Sequence, residues 1–271
     1  MANSINTNYG AMVALQSLNA TNKALETTQN RVNTGQKVSS AKDNGAIFAI
    51  ATGQRAEMGA LDAVKNSIQR GQSVIDVALA AGEVISKALE EQKSLAVAIQ
   101  SSVAGSAAET AYLADFNALG NEITKALGGA NFDGVNLFSA GSATNNLVVQ
   151  TGTAAGDTFS VHAVAGAATT VATATGSIAR AGATAAAVET AITAFSAKLG
   201  SLGSNSKSLE RQLTFTSKVQ DSVEAGIGNL VDADLAKESA KLTALQTKQQ
   251  LGVQALGIAN QSSSILLGLF R

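Results

Sequence analysis

Apolar side chains recur at helical spacing along most of this chain. Near its start Leu18, Leu25 and Val32 fall seven residues apart, with Met12 and Leu15 extending the stripe. Near its end Leu235, Leu242, Gln249 and Leu256 form one seven-residue series, and Leu251, Ile258 and Ile265 form a second. A helix carrying two such series is apolar on more than one side. Asp232 and Asp234 offer it an N-cap and an acidic first turn.

Between the ends, Leu61, Ile68, Ile75, Gly82, Leu89, Ala96 and Val103 interleave with Val64, Gly71, Ala78, Ile85, Gln92 and Ile99 at three- and four-residue steps. This pattern predicts one very long coiled-coil-like helix from about Ile47 to Val103. Leu113, Phe116, Leu119, Ile123 and Leu127 predict another, stopping at Gly128-Gly129. A third runs from Val188 through Phe195, Leu202 and Leu209 to Leu230. The middle is different. Phe132-Asp-Gly-Val-Asn-Leu-Phe138 places an Asp-Gly turn between apolar residues, a hairpin signal. Residues 147–151 and 157–161 read as two short strands. From there to Ala187 the chain is Ala/Thr/Gly-rich with Arg180 as its only charge, and reads equally as a loop or as an extension of the sheet. The fold class is therefore mainly α: long antiparallel coiled-coil-like helices forming a rod from the N- and C-terminal segments, with a small β-hairpin region in the middle.

Composition narrows the function. Of 271 residues 45% are apolar, yet only 4% are aromatic and none is Trp, Pro or Cys. Without Pro the long helices carry no breaks. Without Cys, disulfides, thiolate nucleophiles and Cys-based zinc sites are excluded. A net charge of −1 argues against nucleic acid as a partner. The N-terminus has neither the basic nor the apolar region of a standard signal peptide. The longest apolar runs are only a few residues, far below the ~20 needed to insert into a membrane.

Catalytic constellations are missing as well. His162 is the sole histidine, at the end of a predicted strand, and reads as a surface residue rather than a metal ligand. Gly226-Ile-Gly228 lies inside a heptad helix and lacks the rest of a nucleotide-binding loop, while Glu90-Glu91 reads as a solvated helix face. The reading is of a non-enzyme without cofactor or metal.

The ends carry the most informative charge pattern. No charged residue precedes Lys23, and none lies between Lys248 and Arg271. The final stretch, with Ile265, Leu266, Leu269 and Phe270, is apolar where most termini are polar and frayed. A pair of helices is too thin to cover both of its apolar stripes. Ordering each terminal residue costs about 1–2 kcal/mol of backbone entropy, against about 1.5–3 kcal/mol for each fully buried large apolar side chain. These ends are therefore expected to order and bury themselves against further copies of the same chain.

Ile5-Asn-Thr-Asn8, the Leu18/Leu25 stripe, Thr34-Gly-Gln-Lys-Val-Ser-Ser-Ala-Lys-Asp43 and Ala49-Ile-Ala51 resemble the N-terminal signature of bacterial flagellins. Asp232-Ala-Asp-Leu-Ala-Lys-Glu238, Leu251-Gly-Val-Gln-Ala-Leu256, Ala259-Asn260 and Leu269-Phe-Arg271 resemble the C-terminal one. The resemblance implies a secreted structural subunit that polymerises into the extracellular filament of the flagellum for motility. It implies an inner filament-core domain of residues 1–44 with 229–271, and an outer domain of residues 45–228 that includes the 130–187 hairpin and Ala/Thr/Gly-rich segment. Core packing and polymerisation would fall to Ile5, Met12, Leu15, Leu18, Leu25, Val32, Leu235, Leu242, Leu245, Leu251, Leu256, Ile258, Ile265, Leu266, Leu269 and Phe270. Implied partners are further copies of the chain in a helical homopolymer, a flagellar export chaperone, the type III export apparatus, and the filament cap and hook-associated proteins.

Two departures from the family pattern stand out. Asp43 is followed by Asn44 where two adjacent acids are often found. The stretch that an innate immune receptor reads in many flagellins, Gln-Arg-Val-Arg-Glu-Leu, is here Glu90, Glu91, Gln92, Lys93, Ser94 and Leu95. Two arginines have become Glu91 and Lys93, so an Arg-centred contact is lost or reversed. The alternatives to a filament subunit are a hook–filament junction protein, whose ends diverge more from these signatures, and a secreted coiled-coil effector or adhesin, which leaves the matched uncharged ends unexplained.

Overall fold

The computed structural model of the chain describes residues 8–139, 146–163, 175 and 178–269, with side chains described up to residue 261. Its elements are α1 (Tyr9–Thr34), α2 (Gly45–Ser101), α3 (Ala107–Gly129), β1 (Leu147–Gln150), β2 (Thr158–Val161), α4 (Ala185–Val231) and α5 (Leu235–Leu269). They divide into two compact units, Met1–Ala56 with Ser222–Arg271, and Glu57–Asp221.

The 57–221 unit holds the large core, and the heptads build it. Along α2, Leu61, Val64, Ile68, Ile75, Ala78, Ile85, Leu89, Gln92, Ala96 and Ile99 are all buried. They face Phe116, Ile123 and Leu127 of α3 and Val188, Phe195, Leu202 and Leu209 of α4, with Phe138 and Phe195 5.7 Å apart between ring centres. Gln92, the polar member of the series, donates from Nε2 to the carbonyl of Phe116 at 2.9 Å and so joins α2 to α3.

Val103, the last member of the heptad series, does not join this core; it is 78% exposed. The helix ends two residues earlier because the Ser101 and Ser102 hydroxyls donate back to the Ala98 and Ile99 carbonyls. The chain then turns through Gly105 (φ 78°) to the N-cap Ser106 of α3.

Phe132–Phe138 is likewise not a strand pair. Asp133 and Gly134 both have positive φ, as a type I′ turn requires, but the pairing stops at a single bridge between Phe132 and Val135. Leu137 and Phe138 instead enter the helical core. The hairpin is β1–β2, antiparallel, with Leu147 opposite Val161 and Gln150 opposite Thr158. Val149 points into the core and Val148 to solvent, the alternation expected of a strand with one covered face. Polar side chains strap the hairpin down: Gln150 N donates to Ser67 Oγ, and Gln212 Nε2 to the Thr151 carbonyl. The Ala/Thr/Gly-rich segment lies largely outside the described residues. Its far end is held where Asn117 exchanges two hydrogen bonds with the backbone of Ile178. There Arg180 donates to the carbonyls of Gln100 and Ser102 and pairs with the buried Glu109.

Two glycines in the α2 seam are required by close approach. A Cβ on Gly71 would lie 2.5 Å from Val149 Cγ2, and one on Gly82 would collide with Leu199. Gly59, on the same helix, has open space. Replacing a mid-helix glycine by alanine stabilises by roughly 0.5–1 kcal/mol where nothing obstructs it, whereas overpacking costs about 1–3 kcal/mol. In urea denaturation Gly59→Ala should therefore raise the midpoint, and Gly71→Ala should fall below Gly59→Ala by about 1–3 kcal/mol. Equal gains in the two variants would show that the hairpin does not press on α2 at Gly71.

Candidate polymerisation surface

The other unit is built from the two ends of the sequence. Asn8 caps α1, its Oδ1 accepting from Ala11 N at 3.0 Å, while its Nδ2 donates to the carbonyl of Ala259 at 2.7 Å. Further along, Leu18 packs over Gly252, Gln249 donates to Asn22 at 2.8 Å, and Arg31 pairs with Glu238 at 3.2 Å. The pairing of α1 with α5 is thus antiparallel. It continues past the helices: the amides of Lys37 and Val38 donate to the Val231 carbonyl, and Ala233 N donates to the Gly35 carbonyl. Gly35 ends α1 in the left-handed conformation (φ 70°) that lets the chain turn into this clasp. Asp234 caps α5 through Lys237 N, while Asp232 faces Gln36 instead.

The seam between the helices follows three- and four-residue steps on both sides. On α1 it holds Leu18, Thr21, Leu25, Thr28 and Val32; on α5 Glu238, Leu242, Leu245, Gln249, Gly252, Leu256 and Ala259. The seam is thin. Thr21 and Thr28 are the only fully buried residues of α1, and no side chain of α5 is fully buried among the described residues. Thr28 Oγ1, Arg31 Nε and Glu238 Oε2 are enclosed without a hydrogen-bond partner among the described residues, which weakens the seam further.

The remaining apolar side chains of the pair point outward. Met12 is 63% exposed, Leu251 59% and Ile258 70%. Val13, Leu15, Leu235 and Val253 are about half open. Register adds a second property. Asn22 meets Gln249, so the charge-free start of α1 lies against the charge-free end of α5. The result is a row of open apolar side chains, Met12, Val13, Leu15, Leu251, Val253 and Ile258, on stretches of the two helices that carry no charge.

The candidate residues therefore separate into two sets. Leu18, Leu25, Val32, Leu242, Leu245 and Leu256 are half-buried along the seam, while Met12, Leu15, Leu235, Leu251 and Ile258 face out. Ile5 and Phe270 lie outside the described residues, as do the side chains of Ile265, Leu266 and Leu269.

Residues 5–144 match the bacterial flagellin N-terminal helical region, and residues 185–270 match the bacterial flagellin C-terminal helical region. The chain belongs to the bacterial flagellin family. It is 50% identical over 271 residues to flagellin FljK of Caulobacter vibrioides and 52% identical over 270 residues to flagellin FljN of the same organism, in each case across 99% of both chains. A flagellin of Brucella melitensis is 36% identical over 283 residues, again across 99% of both chains.

The segment from Glu90 to Leu95 lies on α2. Glu90, Glu91, Lys93 and Ser94 are exposed there, Gln92 is buried, and Lys93 is paired with Glu189 of α4. Glu91, Ser94 and Leu95 line an open groove with Asp115, Leu119 and Glu122 of α3.

Several contributors to the α1–α5 seam were missed in the sequence. Thr21 and Thr28 complete a 3-4-3-4 spacing with Leu18, Leu25 and Val32, and that spacing was their signal. Arg31 and Glu238 carried none, because nothing local says that residues 207 positions apart will pair.

The link from α1 to α2 is stiffened by Asp43. One of its carboxylate oxygens accepts from the amides and the hydroxyls of both Ser39 and Ser40. These bonds, the Ser40 amide foremost, hold its pKa below the ordinary 3.8. A lowered folded-state pKa means that the stabilisation is complete above 3.8 and is lost as the pH falls through the folded value. In an acid titration followed by NMR, the Ser39 and Ser40 amides should keep their native shifts until the pH is below 3.8 and then collapse together. Collapse at higher pH would mean that Asp43 does not hold this turn.

Proposed function

We propose that this chain is the structural subunit of a bacterial flagellar filament, and that it polymerises through the outward apolar faces of α1 and α5. The observation that carries this reading is the paired, charge-free ends with Met12, Leu251 and Ile258 open to solvent. Fully burying one such side chain is worth about 1.5–3 kcal/mol, so packing against neighbouring copies supplies what the thin seam lacks. A heterologous contact of this kind does not close on itself and generates a helical polymer.

In this reading residues 1–44 with 229–271 form the inner filament domain and residues 45–228 the outer one, and the seam residues named above set the pairing on which assembly rests. Secretion would proceed through the type III export apparatus with an export chaperone. Cap and hook-associated proteins would meet the two ends of the finished extracellular filament. Identity spread over the whole length of relatives named flagellin supports this reading over a hook–filament junction protein or a secreted coiled-coil effector.

Seeding purified chain with filament fragments and following elongation by electron microscopy tests it. Leu251→Asp with Ile258→Asp should abolish elongation while leaving the helical signal of the monomer unchanged. Leu256→Asp, inside the seam, should abolish elongation as well. Elongation at the parental rate by the double variant, or by a chain lacking residues 255–271, would overturn the proposal. The substituted α2 segment leads to a second expectation. Glu91 and Lys93 should make the purified monomer a weak activator in a receptor reporter assay, and a strong response would refute that reading.

A further inference from the structure

Asn44-Gly45 is the sole Asn-Gly step in the sequence, and both of its residues are exposed. Glycine has no Cβ to shield its amide nitrogen and bends most freely toward the preceding side chain. We propose that this step is a covalent modification site, at which Asn44 loses its side-chain amide spontaneously and the folded state sets the rate.

The reaction needs only water. The backbone nitrogen of Gly45 attacks Cγ of Asn44, its proton passing to solvent. A new C–N bond closes a five-membered succinimide as the side-chain nitrogen leaves as ammonia. Water then adds to one ring carbonyl and breaks one ring C–N bond. Opening at Cγ leaves an ordinary aspartate. Opening at the backbone carbonyl leaves isoaspartate, with the main chain rerouted through the former side chain. One water enters, one ammonia departs, nothing is oxidised or reduced, and the product is more negative by one charge at neutral pH.

The fold opposes the first step. Asn44 is the N-cap of α2: its Oδ1 accepts from Ile47 N at 3.1 Å, and its carbonyl accepts from Phe48 N at 3.0 Å. Cyclisation must pull Cγ out of the cap and turn it toward Gly45 N, abandoning the Ile47 bond. The preceding residue cannot relax to help, because the four hydrogen bonds from Ser39 and Ser40 fix Asp43.

The two products differ in their effect. An aspartate at position 44 still caps and adds negative charge where the helix dipole favours it. Isoaspartate lengthens the backbone by one carbon and moves the capping oxygen away, so the first turn of α2 frays.

The test uses the full-length chain, incubated at mildly alkaline pH in native buffer and, in parallel, in urea. Cleavage after Lys42 and Arg55 isolates the peptide 43–55 for mass spectrometry. In urea this peptide should gain one mass unit, split into aspartyl and isoaspartyl forms, and convert ahead of peptides carrying the other asparagines. In native buffer conversion should be at least about fivefold slower, the factor expected from a side-chain cap. Gly45→Ala should suppress it in urea. Conversion in urea no faster than at Asn-Ser or Asn-Leu steps would remove the site, and equal rates in the two conditions would remove the control by folding.

Discussion

The antiparallel seam between the first and last helices is the interaction on which the rest of the chain's behaviour depends. It joins residues more than two hundred positions apart in sequence, and its register decides what the unit presents outward. With Asn8 on Ala259 and Asn22 on Gln249, the two charge-free stretches lie against each other. A shift of one helical turn would set the charge-bearing stretch of one helix against the charge-free stretch of the other. The polar contacts at intervals, ending in Arg31–Glu238 and the backbone clasp of Gly35, Lys37 and Val38 on Val231 and Ala233, fix that register. Their value lies more in specifying one alignment than in net stability, since desolvating a largely enclosed ion pair offsets most of what the pairing returns.

The two units solve the same helical pattern in opposite ways. In the 57–221 unit each heptad position finds several partners, from α3, α4 and the hairpin, so even Gln92 is enclosed. Glycines at 71 and 82 let strand and helix come close enough to fill the space. Polar side chains then close the loops: Asn117 on Ile178, Arg180 on the end of α2, Gln212 on Thr151. In the other unit two long helices have one inner face each, and that face carries Thr21 and Thr28 where the larger unit would place Ile or Leu.

The helices were legible in the sequence because their periodicity is a direct record of which side is buried. The buried set along α2 follows the heptads from Leu61 to Ile99, and the two series on α5 fall on different sides, Leu242, Gln249 and Leu256 inward and Leu251 and Ile258 outward. What periodicity could not supply was where a pattern stops and what lies far away in sequence. Val103 fits the heptad, yet Ser101 and Ser102 have already bent their hydroxyls back onto the helix. Asp133-Gly134 makes the turn that the dipeptide promises, but Leu137 and Phe138 gain more by entering the core than by pairing as a strand. Arg31–Glu238 and Arg180–Glu109 are long-range consequences of the fold and leave no local trace.

In the proposed polymer, the threonines in the seam couple assembly to the order of the two ends. A leucine in place of Thr28 would bury more apolar area and remove a hydroxyl that has no partner among the described residues, and both changes would stabilise the isolated pair. A pair stable by itself would hold its outward leucines and isoleucines ordered and exposed before any partner arrived. A weak inner seam reverses the order of events. In the proposed polymer, much of the apolar burial available to α1 and α5 lies on their outer faces, so a neighbour contributes to the free energy of ordering them. The thin, partly polar seam sets how the two ends align, and the outward apolar face sets when they become stable.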